Sequence, residues 1–213
     1  MLKHKKGYVS AIILAAGTAS RMGKSKQMLP LGERTLLEHV IHRTLSADFA
    51  EVLTVIGHEA EAIQKIIAID DQRFRWIVNG AYRAGQSTSL KLGIENVQDN
   101  GSTIMVFLGD LPFISDDTIR LIYQAGVDQL TVSAEPFSIR PIYQGVAGHP
   151  VFFGNCTGDL FAALQGDKGA KAMMDKIPNH IRLEVEDSGI LFDVDTPEDY
   201  TKAKSILVTT YND

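Results

Sequence analysis

Two glycines and three cationic side chains share one short loop near the start of the chain. Residues 14–26, here called the phosphate loop, read Leu-Ala-Ala-Gly-Thr-Ala-Ser-Arg-Met-Gly-Lys-Ser-Lys and follow an apolar run that is typical of a buried strand. Backbone N–H groups of such a loop can line an anion pocket, and Arg21, Lys24 and Lys26 can neutralise a polyphosphate. Neither the Walker spacing nor the dinucleotide fingerprint is present. The segment therefore predicts nucleotide binding through the phosphates.

A carboxylate follows a second apolar run. Residues 104–108 predict a strand, and the chain continues as Gly-Asp-Leu-Pro, residues 109–112. Ligands of open α/β sheets bind beyond the carboxyl ends of strands, where Asp110 is expected to lie. A carboxylate there can hold Mg²⁺ against a triphosphate, since Mg²⁺ usually takes one or two carboxylates together with substrate oxygens. Taken alone, Asp110 is also compatible with an aspartate that caps a turn.

Another acidic stretch lies at residues 193–199, which read Asp-Val-Asp-Thr-Pro-Glu-Asp. It follows a short predicted strand, so Asp193 and Asp195 lie on the same side by alternation. One of them could complete a metal site, and Asp195 or Thr196 could instead cap the helix that follows. We favour Asp193 as the second metal ligand and keep Asp195 as the alternative.

Small residues with hydroxyl and amide groups cluster after the third predicted strand. Residues 85–89 read Gly-Gln-Ser-Thr-Ser and open a predicted helix. Hydroxyl and amide groups can read the edge of a base through hydrogen bonds, and Gly85 leaves room for the face of the base. A helix N-cap at Gln86 or Ser87 is compatible with that role.

Strand-like and helix-like segments alternate along the chain, which predicts an α/β sheet with helices on its faces. The 213 residues are enough for one domain with a sizeable core. Within it we expect a nucleotide-binding half at about residues 8–112 and an acceptor half at about residues 113–200. The predicted strands are residues 12–14, 52–56, 76–78, 104–108, 130–133, 151–153, 181–184 and 190–192. The predicted helices are residues 35–45, 59–67, 87–97 and 116–125, with a last one that begins at Thr196 and Pro197.

Composition narrows the classes of protein that fit. The net charge of −5 argues against broad nucleic-acid binding, which usually requires a basic surface. Cys156 is the single cysteine, so an intrachain disulfide is excluded and a reducing, cytoplasmic compartment fits best. We expect Cys156 to be a small buried hydrophobe. The first residues loosely mimic a signal peptide, but cleavage there would remove the first strand. No other apolar run approaches the ~20 residues of a transmembrane helix, so no membrane partner is expected.

The phosphate loop, with Leu-Pro-Leu at residues 29–31, resembles the opening signature of the nucleotidyltransferases. From Leu14 to Asp199 the chain is similar to the molybdenum cofactor nucleotidyltransferase family, including its Gly-Asp-x-Pro and Asp-x-Asp-Thr-Pro-Glu-Asp motifs. The resemblance implies a single Rossmann-like domain with a predominantly parallel sheet flanked by helices, the nucleotide-diphospho-sugar transferase fold. It also implies Mg²⁺ as the cofactor, held by Asp110 and Asp193.

The resemblance implies roles for further residues. Stretches at residues 148–151 and 166–170 are similar to those that the family uses near the acceptor, which makes His149 and Lys168 acceptor-binding residues. Catalysis would rest on Arg21, Lys26 and Asp110. The nucleotide would be bound by Leu14, Ala15, Ala16, Gly17, Arg21, Lys26, Gly85 and Ser87, the last two at the base.

The activity implied is transfer of CMP from CTP to the phosphate of molybdopterin, with release of pyrophosphate and delivery of the product to a molybdoenzyme. Ala16 makes the loop resemble cytidylyl members, whereas guanylyl members carry Leu-Ala-Gly-Gly, so GTP is the alternative nucleotide. Residues 131–145 depart from the family pattern, which leaves other acceptors open. The rivals are a nucleotidyltransferase for a sugar or polyol phosphate, and a chaperone that binds the cofactor without turnover. Retention of Arg21, Lys26 and Asp110 together favours an enzyme.

Overall fold

The computed structural model describes residues 8–17, 25–98, 102–162 and 170–210. The strands in these ranges are β1 (Ser10–Ala15), β2 (Pro30–Leu31), β3 (Arg34–Thr35), β4 (Glu51–Ile56), β5 (Phe74–Val78), β6 (Ile104–Leu108), β7 (Phe137–Tyr143), β8 (Val146–Ala147), β9 (Val151–Gly154) and β10 (Asn179–Glu184). The helices are α1 (Leu36–Leu45), α2 (Ala60–Ile66), α3 (Gln86–Asn96), α4 (Asp116–Val132), α5 (Gly158–Ala162), α6 (Lys171–Met174) and α7 (Pro197–Thr210). Short 3₁₀ turns lie at Lys26–Met28, Tyr82–Ala84 and Ser188–Leu191.

The main sheet has the order β5-β4-β1-β6-β9-β7-β10, with β8 added to β7, while β2 and β3 form a separate hairpin. β1 runs parallel to β4 and to β6, β4 to β5, and β7 to β10, whereas β9 is antiparallel to both of its neighbours. The predicted α/β class with a predominantly parallel sheet is therefore confirmed. The chain order reverses between β1 and β6, and a ligand site is expected at the carboxyl ends of strands at such a point.

Side chains of β1 alternate between two hydrophobic cores, because the strand is buried on both faces. Ala11 and Ile13 belong to the core that includes residues of α1, α2 and α4, and Ile12 and Leu14 to the core that includes residues of α3 and α6. Cys156 lies in the second core and is buried, and burial raises the pKa of its thiol to about 12. The prediction of a small buried hydrophobe at this position is confirmed.

Helix starts follow from local hydrogen bonds. Thr35 and Glu38 form a reciprocal capping box at α1. Ser115 accepts a hydrogen bond from the backbone N–H of Thr118 at α4, as its predicted N-cap role requires. At α7 the Thr196 hydroxyl accepts from the N–H of the residue three positions later, so Thr196 is the residue that caps this helix. No helix in the described ranges is long and apolar enough to cross a membrane.

Two predicted strands are wrong, and four observed strands were not predicted, namely β2, β3, β7 and β8. Residues 130–133, predicted as a strand from their β-branched residues, complete the last turn of α4, which ends with the Ser133 N–H bonded to the Gln129 carbonyl. Of residues 190–192, the first two lie in the 3₁₀ turn Ser188–Leu191, whose start the Asp187 carboxylate caps at Gly189, and Phe192 directly follows the turn. The longest of the missed strands is β7, whose apolar pattern Arg140 and Pro141 interrupt, whereas the other three span two residues each. The other predicted strands and helices overlap the observed ones.

Candidate functional site

The carboxyl ends of β1 and β6 bring the phosphate loop beside Asp110. Leu14 and Leu108 are register partners, and the Gly109 N–H donates a hydrogen bond to the Leu14 carbonyl at 2.9 Å. A Cβ on Gly109 would lie only 2.8 Å from the Cβ of Ala15, so the glycine permits the close approach of the two chain segments. The sheet therefore fixes the distance between the phosphate loop and Asp110.

A buried glutamine fastens the start of the phosphate loop. The Gln27 side chain donates to the carbonyls of Ala15 and Gly17 at 2.9 and 3.1 Å, and it accepts from the Ser25 hydroxyl at 2.8 Å. Gln27 is buried, so these bonds replace those that water would otherwise make. Residues 18–24, which include the predicted ligand Arg21, lie outside the described part of the chain.

Lys26 joins two of the predicted acidic residues. Its ammonium donates to Asp110 Oδ2 at 2.6 Å and to Asp195 Oδ1 at 2.5 Å, and the three side chains are 13%, 22% and 38% exposed. The Val194 N–H also donates to the Asp110 carbonyl at 3.0 Å, which anchors the acidic stretch beside β6. Burial alone would lower the pKa of Lys26, but the charges and hydrogen bonds of Asp110 and Asp195 outweigh it and raise the pKa. The lysine is therefore a fixed cation.

The donor set at Asp110 fits a divalent metal ion that also binds substrate oxygens. Asp110 Oδ1 is buried and has no hydrogen-bond partner among the described residues. Because buried polar atoms are normally paired, this oxygen is available to bind a ligand. Partial burial, then the charges of Asp195 and Asp110, raises the pKa of Asp193, so these carboxylates lie close together. Within the described ranges, no group of three or more potential ligands could hold a metal by itself. Mg²⁺ commonly needs fewer protein ligands, because phosphates and water complete its coordination.

A cavity of about 500 Å³, the first cavity, opens between the phosphate loop and the start of α3. Its lining includes Leu14, Ala15, Ala16, Gly17, Lys26, Gly85 and Asp110 from the predicted site, together with Gln27, Tyr82, Arg83, Gln86, Ser89, Leu108 and Gly109. Ser87, the other predicted base residue, is 1% exposed and is not among these lining residues. Gln86 and Ser89, which lie on the same helix start, line the cavity instead.

Asn79 organises the segment that carries these lining residues. It is buried directly after β5, and its amide donates to Thr88 and Ser89 hydroxyls at 2.9 Å each. Its carbonyl oxygen accepts from the Ala81 N–H at 2.9 Å. Gly85 has φ +111°, a conformation that favours glycine, and α3 begins at the next residue. The signal that could have revealed this turn is an asparagine at a strand end, since Asx side chains bond the backbone two residues on.

A second cavity of about 540 Å³ adjoins the first. Leu14, Gln86 and Leu108 line both cavities, and we call these three residues the shared wall. The second cavity is also lined by His149, which the sequence predicted as an acceptor-binding residue, whereas Lys168 lies outside the described ranges. Its remaining lining residues are Val106, Arg140, Val151, Ala170, Lys171, Met174, Asp175, His180 and Arg182.

His149 is uncharged at neutral pH. Its Nδ1 is buried without a hydrogen-bond partner among the described residues, although part of the residue remains exposed. Burial, reinforced by the charge of Arg140, lowers the pKa of the ring to about 4. A neutral ring can still donate or accept one hydrogen bond, which suits a polar contact better than charge neutralisation.

Comparison with known proteins assigns the family. The model of the MobA-like NTP transferase domain matches residues 11–182. The chain belongs to the MobA-like NTP transferase family. Its architecture is the nucleotide-diphospho-sugar transferase fold, and its membership makes it a nucleotidyltransferase. The resemblance deduced from the motifs is confirmed.

Relatives cover nearly the whole chain. It is 30% identical over 209 residues to the molybdenum cofactor cytidylyltransferase of Escherichia coli (strain K12), with 92% of this chain and 95% of that protein covered. It is 28% identical to the purine catabolism protein PucB of Bacillus subtilis (strain 168), with 94% and 98% covered. The crystal structure of Rv0371c from Mycobacterium tuberculosis H37Rv gives a TM-score of 0.76 at 26% identity, over 94% of this chain and 99% of that one. A further structure of Rv0371c is a complex with manganese.

Proposed function

We propose that this protein transfers CMP from CTP to the phosphate of molybdopterin and releases pyrophosphate. The observation that carries the proposal is the Lys26 ammonium held between Asp110 and Asp195, in a cavity that adjoins a second, cation-lined cavity. One cavity can take the nucleotide and the other the acceptor. The similarity to the cytidylyltransferase of Escherichia coli supports the choice of nucleotide and acceptor.

The reaction needs positioning and charge stabilisation more than proton transfer. An oxygen of the acceptor phosphate attacks the α-phosphorus of the nucleotide, a phosphoanhydride bond forms, and the bond to pyrophosphate breaks. A phosphate monoester is largely ionised at neutral pH, since its second pKa is ~6, so it needs no general base. Lys26, and Arg21 from the same loop, stabilise the negative charge that develops on the phosphates.

Asp110 and Asp193 would hold the divalent metal, for which we propose Mg²⁺. A bound Mg²⁺ would neutralise phosphate charge and polarise the α-phosphate. Asp195 is already paired with Lys26, whereas no ion pair engages Asp193 among the described residues, which supports Asp193 as the second ligand. Asp195 remains the alternative if Lys26 turns to the substrate.

The assignment of CTP rests on Ala16. This residue is buried and lines the first cavity, so its methyl group reduces the space available to a base. A pyrimidine needs less room than a purine, which supports CTP over GTP. Ala16→Gly should therefore raise the ratio of turnover with GTP to turnover with CTP, and an unchanged ratio would contradict the steric argument.

The two proposed halves of the chain are supported by the cavity linings. Residues found only in the first cavity lie between positions 15 and 110, and those found only in the second lie between positions 140 and 182, apart from Val106. The nucleotide half at about 8–112 and the acceptor half at about 113–200 follow this division. We further propose that the protein works in the cytoplasm and passes its product to a molybdoenzyme.

The decisive experiment measures pyrophosphate release by the purified protein with Mg²⁺, comparing CTP and GTP, each with and without molybdenum-loaded molybdopterin. Release that requires both CTP and the pterin is the expected result. A preference for GTP would overturn only the choice of CTP as the nucleotide. No release with either nucleotide would contradict molybdopterin as the acceptor. It would favour a sugar or polyol phosphate as the acceptor, or binding without turnover.

Two variants with matched controls test the proposed catalytic roles of Asp110 and Lys26. Asp110→Asn should abolish turnover without unfolding the protein, whereas Asp117→Asn, at a side chain that is 99% exposed, should not change it. Lys26→Gln should lower the rate at saturating nucleotide by about 10²–10³-fold, as loss of one transition-state donor does. Lys65→Gln, exposed on α2, is the charge-matched control. An effect of Lys26→Gln on nucleotide affinity alone would contradict a catalytic role.

A further inference from the structure

Two arginines lie side by side on neighbouring strands without a carboxylate partner. Arg140 on β7 and Arg182 on β10 are register partners in a parallel pair, and both line the second cavity. Like charges opposite each other on a sheet are destabilising. Among the described residues no ion pair engages either side chain. No carboxylate in the described structure therefore balances the charge of the pair.

Arg140 is held in a fixed orientation. Its Nε donates to the Gly148 carbonyl at 3.1 Å, and its Nη2 donates to the carbonyls of Gly148 and Ala147 at 2.9 Å each. Carbonyl groups orient the guanidinium but do not neutralise its charge. Burial, and after it the charge of Arg182, lowers the pKa of Arg140, which reflects an uncompensated cation in a half-buried place. The carbonyls take up the Nε and Nη2 donors, which leaves the Nη1 group, held in a fixed direction, to donate to an anionic ligand.

The surroundings of the pair are also cationic. Lys171 and His180 line the same cavity, and Asp175 is the single carboxylate among the described lining residues. His180 is itself positioned by its Nδ1, which lies 2.8 Å from the Ser138 hydroxyl on the neighbouring strand. Three permanent cations against one carboxylate make the cavity attractive to an anion.

Protection of the sheet edge does not explain the pair. β10 lies at the end of the sheet, and exposed charges such as Arg182 commonly discourage edge-to-edge pairing. Arg140, however, lies on β7, an interior strand between β9 and β10. Protection of the edge strand β10 does not require an arginine on the interior strand β7, and a half-buried side chain such as Arg140 would not provide it.

We propose that Arg140 and Arg182 together bind a phosphate-like oxyanion of the acceptor and so position it across the shared wall from the nucleotide. This inference rests on the proposed function, because it assigns the acceptor to the second cavity. Guanidinium groups recognise tetrahedral oxyanions through paired, charge-assisted hydrogen bonds. The oxyanion is either the reacting phosphate monoester or a second anionic group on the same acceptor.

The first test measures binding of inorganic phosphate by isothermal titration calorimetry, at an ionic strength held constant with chloride. Arg182 is exposed, so Arg182→Gln should fold normally, which a thermal melt verifies. It should weaken phosphate binding about tenfold, the effect of one lost charge-assisted contact. Arg120→Gln, which removes the same charge from exposed α4, should leave binding unchanged. Equal affinities in wild type and Arg182→Gln, or an equal loss in Arg120→Gln, would overturn the proposal.

Lys26→Gln separates this site from the first cavity. Phosphate that binds at the arginine pair should still bind to Lys26→Gln, whereas phosphate that binds only near Lys26 should be lost, which would overturn the proposal. The assay needs no turnover. Phosphate binding that depends on Arg182, in a protein that transfers no nucleotide, would refute the proposed function and leave the anion site standing.

Steady-state kinetics then identify the source of the oxyanion. If the pair holds a second anionic group, Arg182→Gln should raise the KM for the acceptor about tenfold with kcat and the KM for nucleotide unchanged. If it holds the reacting phosphate, kcat should fall as well. Either result supports the acceptor site, and an unchanged KM for the acceptor with an unchanged kcat would overturn it.

Discussion

Replacing Gln27 with leucine tests whether one buried side chain holds the phosphate loop in place. The amide of Gln27 donates to the carbonyls of Ala15 and Gly17 and accepts from the Ser25 hydroxyl. Leucine has a similar volume and keeps the position apolar and filled. It has no hydrogen-bonding group, so all three partners lose a bond.

The expected cost follows from the burial of the partners. Ala15 is buried, and a buried carbonyl that loses its donor costs about 1–3 kcal/mol. Gly17 is exposed, so water can replace the lost bond there and the cost is smaller. Together with Ser25, which is buried, the total is about 2–4 kcal/mol. For a chain of this size that lowers Tm by roughly 4–16 °C.

Urea denaturation and nucleotide titration measure the two consequences. Gln27→Leu should lower the unfolding midpoint, and it should also weaken nucleotide binding, since Ala15 and Gly17 line the first cavity. Gln124→Leu is the control, because exposed Gln124 donates to Asp128 on the surface of α4 and to no other residue in the described ranges, and its effect should stay within about 0.5 kcal/mol. Equal midpoints for the two variants would refute the role assigned to Gln27.

Three further changes have defined outcomes. Gly109→Ala should cost about 1–3 kcal/mol in urea denaturation, since the new Cβ would lie 2.8 Å from that of Ala15; an unchanged midpoint would contradict this close approach. The pKa of His149, about 4 in the folded protein against an ordinary 6.5, means that the unfolded chain binds the proton first as the pH falls. Stability should therefore decline between these values, by about 2 kcal/mol at pH 5, and His149→Gln should flatten that decline; an equally steep decline in the variant would contradict the lowered pKa. Thr196→Ala should destabilise α7 by about 1 kcal/mol in thermal melts, and no loss would show that the cap is dispensable.

The central features of the site could be predicted because they depend on local patterns and one topological rule. The apolar runs that become β1 and β6 are long enough to be read as buried strands. Parallel strands deliver their carboxyl ends to one edge, so the loop after β1 and Asp110 after β6 had to meet. That meeting brings Lys26 to Asp110, whereas the contact of Lys26 with Asp195 also needs the backbone bond from the Val194 N–H to the Asp110 carbonyl, which the pattern does not show.

Other features depend on tertiary partners that the sequence pattern does not display. β7 is stabilised by pairing with β9 and β10, which outweighs the breaks at Arg140 and Pro141. The Gln27 bonds reach carbonyls ten and twelve residues earlier, so they require the path of the loop. The Arg140–Arg182 pair requires the register of two strands that lie far apart in sequence. At each of these positions the role of the side chain depends on residues that are distant in sequence, so the residue type alone does not reveal it.

In the proposed reaction, the shared wall lets one sheet control the spacing of the two substrates. Leu14 and Leu108 are register partners, and the hydrogen bond from Gly109 to Leu14 continues their ladder into the site. The separation of the two cavities is therefore set by backbone pairing, which is stiffer than any choice of side-chain rotamer. Nucleotidyl transfer between two polyanions gains most of its rate from holding the reacting groups at a fixed distance while cations reduce their repulsion. In the reaction proposed for this chain, the sheet would provide the distance and the cations of the two cavities would provide the charge.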